Sequence, residues 1–536
     1  MTIVLDTVAF AWIKEHLFSQ KVRRAFELRE SLADHVSPGS WVLVVSLVVS
    51  AVIIAALCWL VASRVIMRLQ KGRTVCFLFA VPYALAFLFA LWPLWRAINA
   101  QEPLVASARH PLAVFGVYRS ETVQPVAVED SGERFGYVAA MIERLAKRDQ
   151  RQLDMSIQKN DLSTKQLPDV VFVVIESLRP ELVDPEVMPT LAKFAEKGLH
   201  CKQHHSTGNA TTHGMFGLFN GLEAIWYSRP IRNRPMLNRL LHQAGYEIGF
   251  FAGHNDWRKF RMEGYVNKQH YDVFEVHERN WLLSDRRATE QAISFLQRSD
   301  LASDQPRRPR LAVLYLYSTH ANYHSYTRDQ IFQPAADLRF TIPYSESSAP
   351  MVWNRYKNSA RSIDGFLKAI LAEDRVAIVT GDHGESFLED GTCGHGSRLS
   401  KYQNMTPAVI YFPGKPPRKI NKPTIHADIL PTLVAGLGLK VDDEEAWDGL
   451  DLNVQDQRLN DRVIATRDYL SDEFALIDAR DETQAWGFKC TLRLRDFQST
   501  LNGAIDDSGQ RVSVAGEQSE LLNRWLTSRL IGSSGD

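Results

Sequence analysis

The sequence predicts an α/β sandwich with a largely parallel central sheet, preceded by two transmembrane helices. Three observations carry that expectation. Unbroken apolar runs alternate with helical patterns after Pro168, two stretches of 22 residues near the N-terminus hold no charge, and the apolar runs end in polar residues that would gather at one rim of a sheet. At 536 residues the chain exceeds what one compact core fills. Its 62 basic residues balance 62 acidic ones, which argues against nucleic acid as the main partner. Five cysteines (Cys58, Cys76, Cys201, Cys393 and Cys490) are too scattered for a disulfide framework or a paired zinc site.

Residues 1–40 form an arm with five Lys or Arg against five Asp or Glu. Its start, "MTIVLDTVAFAWIKEHLF", has an early acid and no small-residue cleavage site, so it reads as a helix lying on a membrane rather than as a signal peptide. Val4, Val8, Phe10, Ile13 and Phe18 supply its apolar face. Residues 41–98 hold the two spans, Trp41–Ala62 and Thr74–Trp95, each long enough to cross a hydrocarbon core of ~30 Å. Trp41, Trp59, Trp92 and Trp95 stand near the ends as interfacial anchors. Arg64, Arg68, Lys71 and Arg73 lie between the spans with no acid among them, which puts that loop in the cytoplasm and both flanks outside.

Residues 99–167, with the charged helical stretch "YVAAMIERLAKRDQRQLDMSIQK", read as a stem, and residues 168–536 as the globular domain. Here "DVVFVVIES" has the continuous apolar run of a strand buried on both faces. Similar runs follow at "YEIGFFAG", "RLAVLYLYSTH", "RVAIVTGDHG" and "TPAVIYFPG". Between them stand helical patterns such as "MPTLAKFAEKG" and "VWNRYKNSARSIDGFLKAILAED". Near the C-terminus "QAWGFKCTLRLRD" reads as an edge hairpin.

In open α/β sheets ligands sit beyond the carboxyl ends of the strands. Two of the apolar runs end there in Glu176 and in "VTGDHGESFLEDGTCGHG". A divalent metal that activates an oxygen nucleophile wants hard carboxylate oxygens and an imidazole, which Glu176, Asp382 and His383 supply. The nucleophile belongs on a tight turn or helix start near them, and "HHSTGNATTHGMFGLFNGL" fits. Gly208 and Asn209 allow the turn, and Thr211 and Thr212 open the helix, either capping it or offering a hydroxyl where free N–H groups favour a phosphate.

On these residues the segment from Pro168 to Leu439 resembles the alkaline phosphatase/sulfatase superfamily. Within it the chain is similar to the membrane-anchored phosphoethanolamine transferases and lipoteichoic acid synthase-type enzymes, because Asp-His-Gly-Glu-Ser is followed, twelve residues after His383, by His395 before Gly396. "GNATTHGMFGLF" also resembles the inner-membrane lipopolysaccharide-regulating relatives of this fold. The resemblance implies an alkaline phosphatase-like sandwich with Glu176, Asp382, His383 and Thr211 around one divalent ion, Zn²⁺ or Mn²⁺. It makes Thr211 the nucleophile, with Thr212 as runner-up, and His320 and His395 the groups that contact the transferred phosphoryl group or a second metal. It further implies a phospholipid donor, an envelope glycan or lipid acceptor, and a two-pass protein of the bacterial inner membrane with its catalytic domain on the periplasmic side.

Departures from the pattern narrow the expectation. No CxPxR-like motif is present, which disfavours sulfate-ester hydrolysis, and beside Glu176 only Asp184 could serve a second metal. "GHNDWRKF" offers Trp257 as a stacking wall and Arg258 or Lys259 for phosphate, unless it is an ordinary surface loop. Glu385, Glu389 and Asp390 are the candidates to receive a substrate ammonium group, phosphoethanolamine being the first choice of headgroup and phosphoglycerol the second.

Overall fold

The computed structural model describes residues 131–158, 166–298, 307–454, 457–480, 485–513 and 518–531, with residues 19–27 and scattered positions between 15 and 64. The chain divides into two compact units, Met1–Val123 with Arg339–Tyr344, and Gln124–Leu338 with Ser345–Asp536. In the first unit Gln20–Glu27 is helical. Val45, Val49, Ile53, Leu57 and Leu60 are also helical and carry exposed apolar side chains. Among the described residues no helix is long and apolar enough to cross a membrane. The expected spans Trp41–Ala62 and Thr74–Trp95 lie outside the described residues apart from those scattered positions.

The second unit is built on an eight-stranded sheet. In chain order its strands are β1 (Val170–Ile175), β2 (Leu199–His205), β3 (Glu247–Ala252), β4 (Val273–Val276), β5 (Arg310–Leu316), β6 (Val376–Gly381), β7 (Ala408–Tyr411) and β8 (Arg418–Ile425). They lie in the order β8-β2-β7-β6-β1-β5-β3-β4. All neighbours are parallel except where β7 meets β2 and β6, so only β7 runs against the rest. The "VVFVVI" of β1 is wholly buried because helices cover both faces of a central parallel strand. Each such side chain contributes about 1.5–3 kcal/mol when removed from water.

Register sets the level of the rim. Ile175 pairs with Leu316 of β5 on one side and with Gly381 of β6 on the other, so the next residue on each strand, Glu176, Tyr317 and Asp382, emerges at the same height. A second, five-stranded antiparallel sheet follows. There the expected edge hairpin is internal: Gly487–Arg493 pairs with Glu473–Asp478 on one side and Gln498–Ile505 on the other. Alternate buried positions such as Cys490 and Leu492 give that strand a core face.

The globular body also begins earlier than Pro168. The helix α1 (Ser131–Asp154) was expected within a stem, yet Met141, Leu145, Met155 and Ile157 join the main hydrophobic core. Met141 and Leu145 lie one turn apart on a mostly polar helix, and that apolar stripe, with Met155 and Ile157 just past the helix end, needs a surface to bury it.

Candidate active site

Four strand ends meet around Glu176. The backbone N–H of Glu176 donates to Leu316 O at 2.9 Å and that of Asp382 to Ile175 O at 3.3 Å, so both carboxylates leave β1 and β6 side by side. His383 Nε2 lies 3.2 Å from Glu176 Oε1 and 3.4 Å from Asp382 Oδ2. Thr211 opens the helix α2 (Thr211–Asn220), and its Oγ1 is 3.3 Å from both Glu176 Oε2 and His383 Nε2. Gly214 makes that approach possible: a Cβ there would sit 1.9 Å from Asp382 O. Ser206 Oγ then donates to the same carbonyl at 2.6 Å, fixing the turn before the helix. Thr212 turns away and donates to Phe260 O at 2.9 Å.

Glu176, Asp382 and His383 present ligand atoms within 4.8 Å of one another, a group that could hold a metal ion. The donor set suits a hard or borderline dication. His383 Nδ1 donates to Gly384 O at 2.8 Å, which orients the ring and aims Nε2 at the carboxylates. Without an ion both ring nitrogens act as donors. Burial opposes the imidazolium, but Asp382 and Glu176 raise its pKa to about 9. Burial and the charge of Glu176 push Asp382 up to about 6. Burial also opposes ionisation of Glu176, yet His383, with His320 and His395 nearby, holds it well below the usual carboxylate range. The same carboxylates and imidazole nitrogen would hold a dication.

Sequence reasoning missed the residues that brace this group. Tyr315, on β5, donates its hydroxyl to Glu176 Oε2 and to Asp382 Oδ2, the latter at 2.9 Å. Ser177 donates Oγ to Glu176 Oε1 at 2.9 Å and its backbone N–H to Asp382 Oδ1 at 2.8 Å, from a left-handed φ of 54°. The only signal for Tyr315 was two tyrosines at alternate positions of an otherwise aliphatic strand.

His320 and His395 stand together on the open side of Glu176. Their rings are 5.6 Å apart, His395 lies 4.1 Å from the His383 ring, and with Glu176 they form a second metal-capable group. Glu385 is fully buried: its Oε2 is 2.6 Å from His395 Nδ1 and its Oε1 accepts the Tyr323 hydroxyl at 2.6 Å. That carboxylate faces His395 instead of solvent. Glu389 accepts from Arg179 at 2.5 Å, and Asp390 accepts from Ser386, Thr392, Ser400 and Gln403. The three acids expected to await an ammonium group therefore have protein partners.

The expected substrate loop differs as well. Trp257 is 3% exposed and packs edge-on against Phe250 and Tyr315, so it is core and not a stacking wall. Lys259 pairs with Asp256 at 2.8 Å, while Arg258 is exposed. Beside them His254 is buried against Trp257 and Tyr317, and burial takes its imidazole down to about 4.

An α/β sheet of this order with a buried carboxylate, imidazole and hydroxyl cluster at its carboxyl rim defines the alkaline phosphatase-like class. Residues 168–439 match the sulfatase family model, and the chain belongs to the sulfatase family. It is 24% identical over 385 residues to the inner membrane protein YejM of Salmonella typhimurium, covering 69% of this chain and 58% of that one. An uncharacterized protein of Haemophilus influenzae is 23% identical over 269 residues, covering 50% of this chain and 40% of that one. The chain thus spans 58% and 40% of the lengths of these two relatives. Among solved structures, a protein in the alkaline phosphatase superfamily from Vibrio parahaemolyticus has the same fold, with a TM-score of 0.50 and 16% identity over 74% of this chain and 95% of that one.

Proposed function

We propose that the protein transfers a phospholipid-derived phospho-headgroup to a cell-envelope hydroxyl through a phospho-threonine on Thr211. The observation that carries this reading is Thr211 Oγ1 at 3.3 Å from both Glu176 Oε2 and His383 Nε2, on the first residue of a helix. A dication held by Glu176, Asp382 and His383 would lower the threonine pKa and offset phosphoryl charge.

The chain's own groups account for the bonds. Thr211 Oγ bonds to phosphorus as its proton leaves toward Glu176, and the bond from phosphorus to the diacylglycerol oxygen breaks. His395 or His320 gives that oxygen its proton. The acceptor hydroxyl then attacks the phospho-threonine and gives its proton to the same histidine, while the bond from phosphorus to Thr211 Oγ breaks and the proton held by Glu176 returns to that oxygen. The buried Glu385 and Tyr323 hold His395 in one orientation for both steps.

Phosphoethanolamine is the first reading of the headgroup, because the spacing of His383 and His395 resembles that of the phosphoethanolamine transferases. Phosphoglycerol is the second reading, favoured because Glu385, Glu389 and Asp390 are each bonded within the protein and leave no committed partner for an ammonium. A placement in the bacterial inner membrane agrees with the uncharged spans and with the Salmonella relative being an inner membrane protein, and the basic loop between the spans puts the α/β unit on the periplasmic side. The test is full-length protein in detergent with fluorescent phosphatidylethanolamine or phosphatidylglycerol. Release of diacylglycerol and mass spectrometry of a headgroup on the Thr211 peptide are expected. Metal-loaded protein that cleaves neither lipid overturns the proposal.

A further inference from the structure

Behind the rim lies a buried carboxylate that the reaction above does not use. Asp285, on the helix Trp281–Gln297, is wholly buried, and no ion pair reaches it among the described residues. Its oxygens are taken by the turn that follows β5. Oδ1 accepts the Tyr317 N–H at 2.9 Å, and Oδ2 accepts the Ser318 N–H at 2.8 Å and the Ser318 hydroxyl at 2.5 Å. Gly253, just past β3, leaves room for it: a Cβ there would lie 1.8 Å from Asp285 Oδ1. Burial pushes the carboxyl up to about 6 against the pull of these three donors, so it is charged at neutral pH. A carboxylate accepts all three donors, whereas an amide in its place would turn an NH₂ on one of the backbone N–H groups.

That turn carries His320 into the rim. The His320 N–H donates to Tyr317 O at 2.9 Å, and the two rings stack with centroids 4.7 Å apart and 19° between their planes. Thr319 Oγ1 donates to Glu176 O at 2.6 Å, while Ser318 O accepts Ser359 Oγ at 2.8 Å and the His324 N–H at 3.1 Å. Just beyond His320, Asn322 and Tyr323 hold left-handed φ of 79° and 45°, and the Tyr323 hydroxyl donates to Glu385, the partner of His395. Strained backbone persists only where its surroundings over-determine it. One short segment thus sets both rim histidines, His320 through the Tyr317 ring and His395 through Tyr323 and Glu385, with the two imidazoles 5.6 Å apart.

We propose that Asp285 is a positioning residue: by gripping the Tyr317–Ser318 turn from behind, its carboxylate fixes the His320 imidazole against His395 at the rim. The proton transfer it serves rests on the transferase reading; the placement of the ring is read without it. Diethyl pyrocarbonate, which acylates accessible imidazoles, tests the placement in full-length protein in detergent, with the rate at each histidine followed by mass spectrometry. In the native protein His320, 1% exposed, reacts slowly. In Asp285→Asn its rate rises at least about tenfold while the buried His204 and His205 stay protected, because only the turn is released. On the lipid that the native protein cleaves, kcat of this variant falls at least about tenfold with KM within about twofold, the mark of a displaced catalytic group and not of lost binding. Ser318→Ala removes the hydroxyl donor alone and gives the same pattern at about threefold, so the test stands even where Asp285→Asn does not fold. A His320 rate within about twofold of native in every folded variant overturns the proposal. So does a rise shared by His204 and His205, which marks general loosening. Native protein that cleaves neither lipid, with the His320 rate still raised in the variants, overturns only the transferase reading.

Discussion

Two buried polar clusters occupy the same body and are built to opposite rules. At the rim two carboxylates, Glu176 and Asp382, crowd one imidazole, His383, so acid is in excess. Elsewhere in the same unit, Glu223 and Asp448 face Arg148 and Arg529 in equal number. Every oxygen there is used: Glu223 accepts from Ala465 N–H, Trp525 Nε1–H and Arg529, and Asp448 from Trp226 Nε1–H, the Glu223 N–H and Arg148. Buried charge that is balanced, with every carboxylate oxygen bonded, joins α1, the Ala224–Trp226 turn and the C-terminal helix Gln518–Leu526 into one unit. Buried charge left unbalanced calls for a cation from outside. Imbalance, more than burial, separates a site from a clasp.

The sharpest break of that contrast is at Thr211. Thr211→Ala is expected to lower lipid cleavage by at least about 10³-fold while the melting temperature holds, because the hydroxyl bears on the reaction and not on the fold. Thr212→Ala, which loses a bond to Phe260 O, should retain most activity and lose a little stability. Equal losses in the two would remove Thr211 from its role. At the clasp the outcome inverts. Asp448→Ala takes the carboxylate from the buried Arg148 and is expected to cost about 3–5 kcal/mol in urea unfolding, with the remaining folded protein as active as the native one.

A chelator tests the rim from the other side. If a dication belongs on Glu176, Asp382 and His383, adding Mn²⁺ or Zn²⁺ to chelated protein at about 100 times Kd raises stability by about 2.7 kcal/mol. In Asp382→Asn the increment should fall away, whereas in Asp448→Asn it should persist. A thermal shift that is the same in both variants would mean the ion binds elsewhere.

Much of the rim was legible in the sequence because short-range grammar wrote it. An apolar run ending in Glu176 and an Asp-His-Gly turn after another run mark strand ends, and a turn before an apolar helix marks Thr211. What escaped was written at long range. Tyr315 bridges Glu176 and Asp382 only because β5 and β6 flank β1 in register. The clasp unites residues 148, 223, 448 and 529, and nothing local links them. Trp257 reads as a surface ring within "GHNDWRKF", yet Phe250 and Tyr315 close over it.

Between the two clusters lie buried histidines that belong to neither. Burial holds His205 and His426 down to about 3, and His204 well below its usual value, with nearby cations and histidines adding to the effect. Their folded values lie below the unfolded 6.5, so the stability they confer is complete above pH 6.5 and is lost as pH falls toward 3. Each adds a slope of up to about 1.4 kcal/mol per pH unit across that window. Urea unfolding measured from pH 7.5 to 4.5 should steepen below 6.5, and His205→Gln should flatten it. An unchanged slope in that variant would assign acid unfolding to other groups.

The smallest effect discriminates most finely, because Glu385 sits where the two rules meet: it is buried and bonded like a clasp residue, yet within the rim. As an ammonium partner, its loss would raise KM for phosphatidylethanolamine and leave phosphatidylglycerol untouched. As the group that orients His395, its loss lowers kcat for both lipids alike. With Oε2 at 2.6 Å from His395 Nδ1 and Oε1 on the Tyr323 hydroxyl, neither oxygen is left to a substrate. Glu385→Gln is therefore expected to lower kcat about tenfold on both lipids with KM little changed, the loss typical of a partner that orients a working histidine. A selective rise in KM for the ethanolamine lipid would show that the carboxylate leaves His395 when substrate arrives.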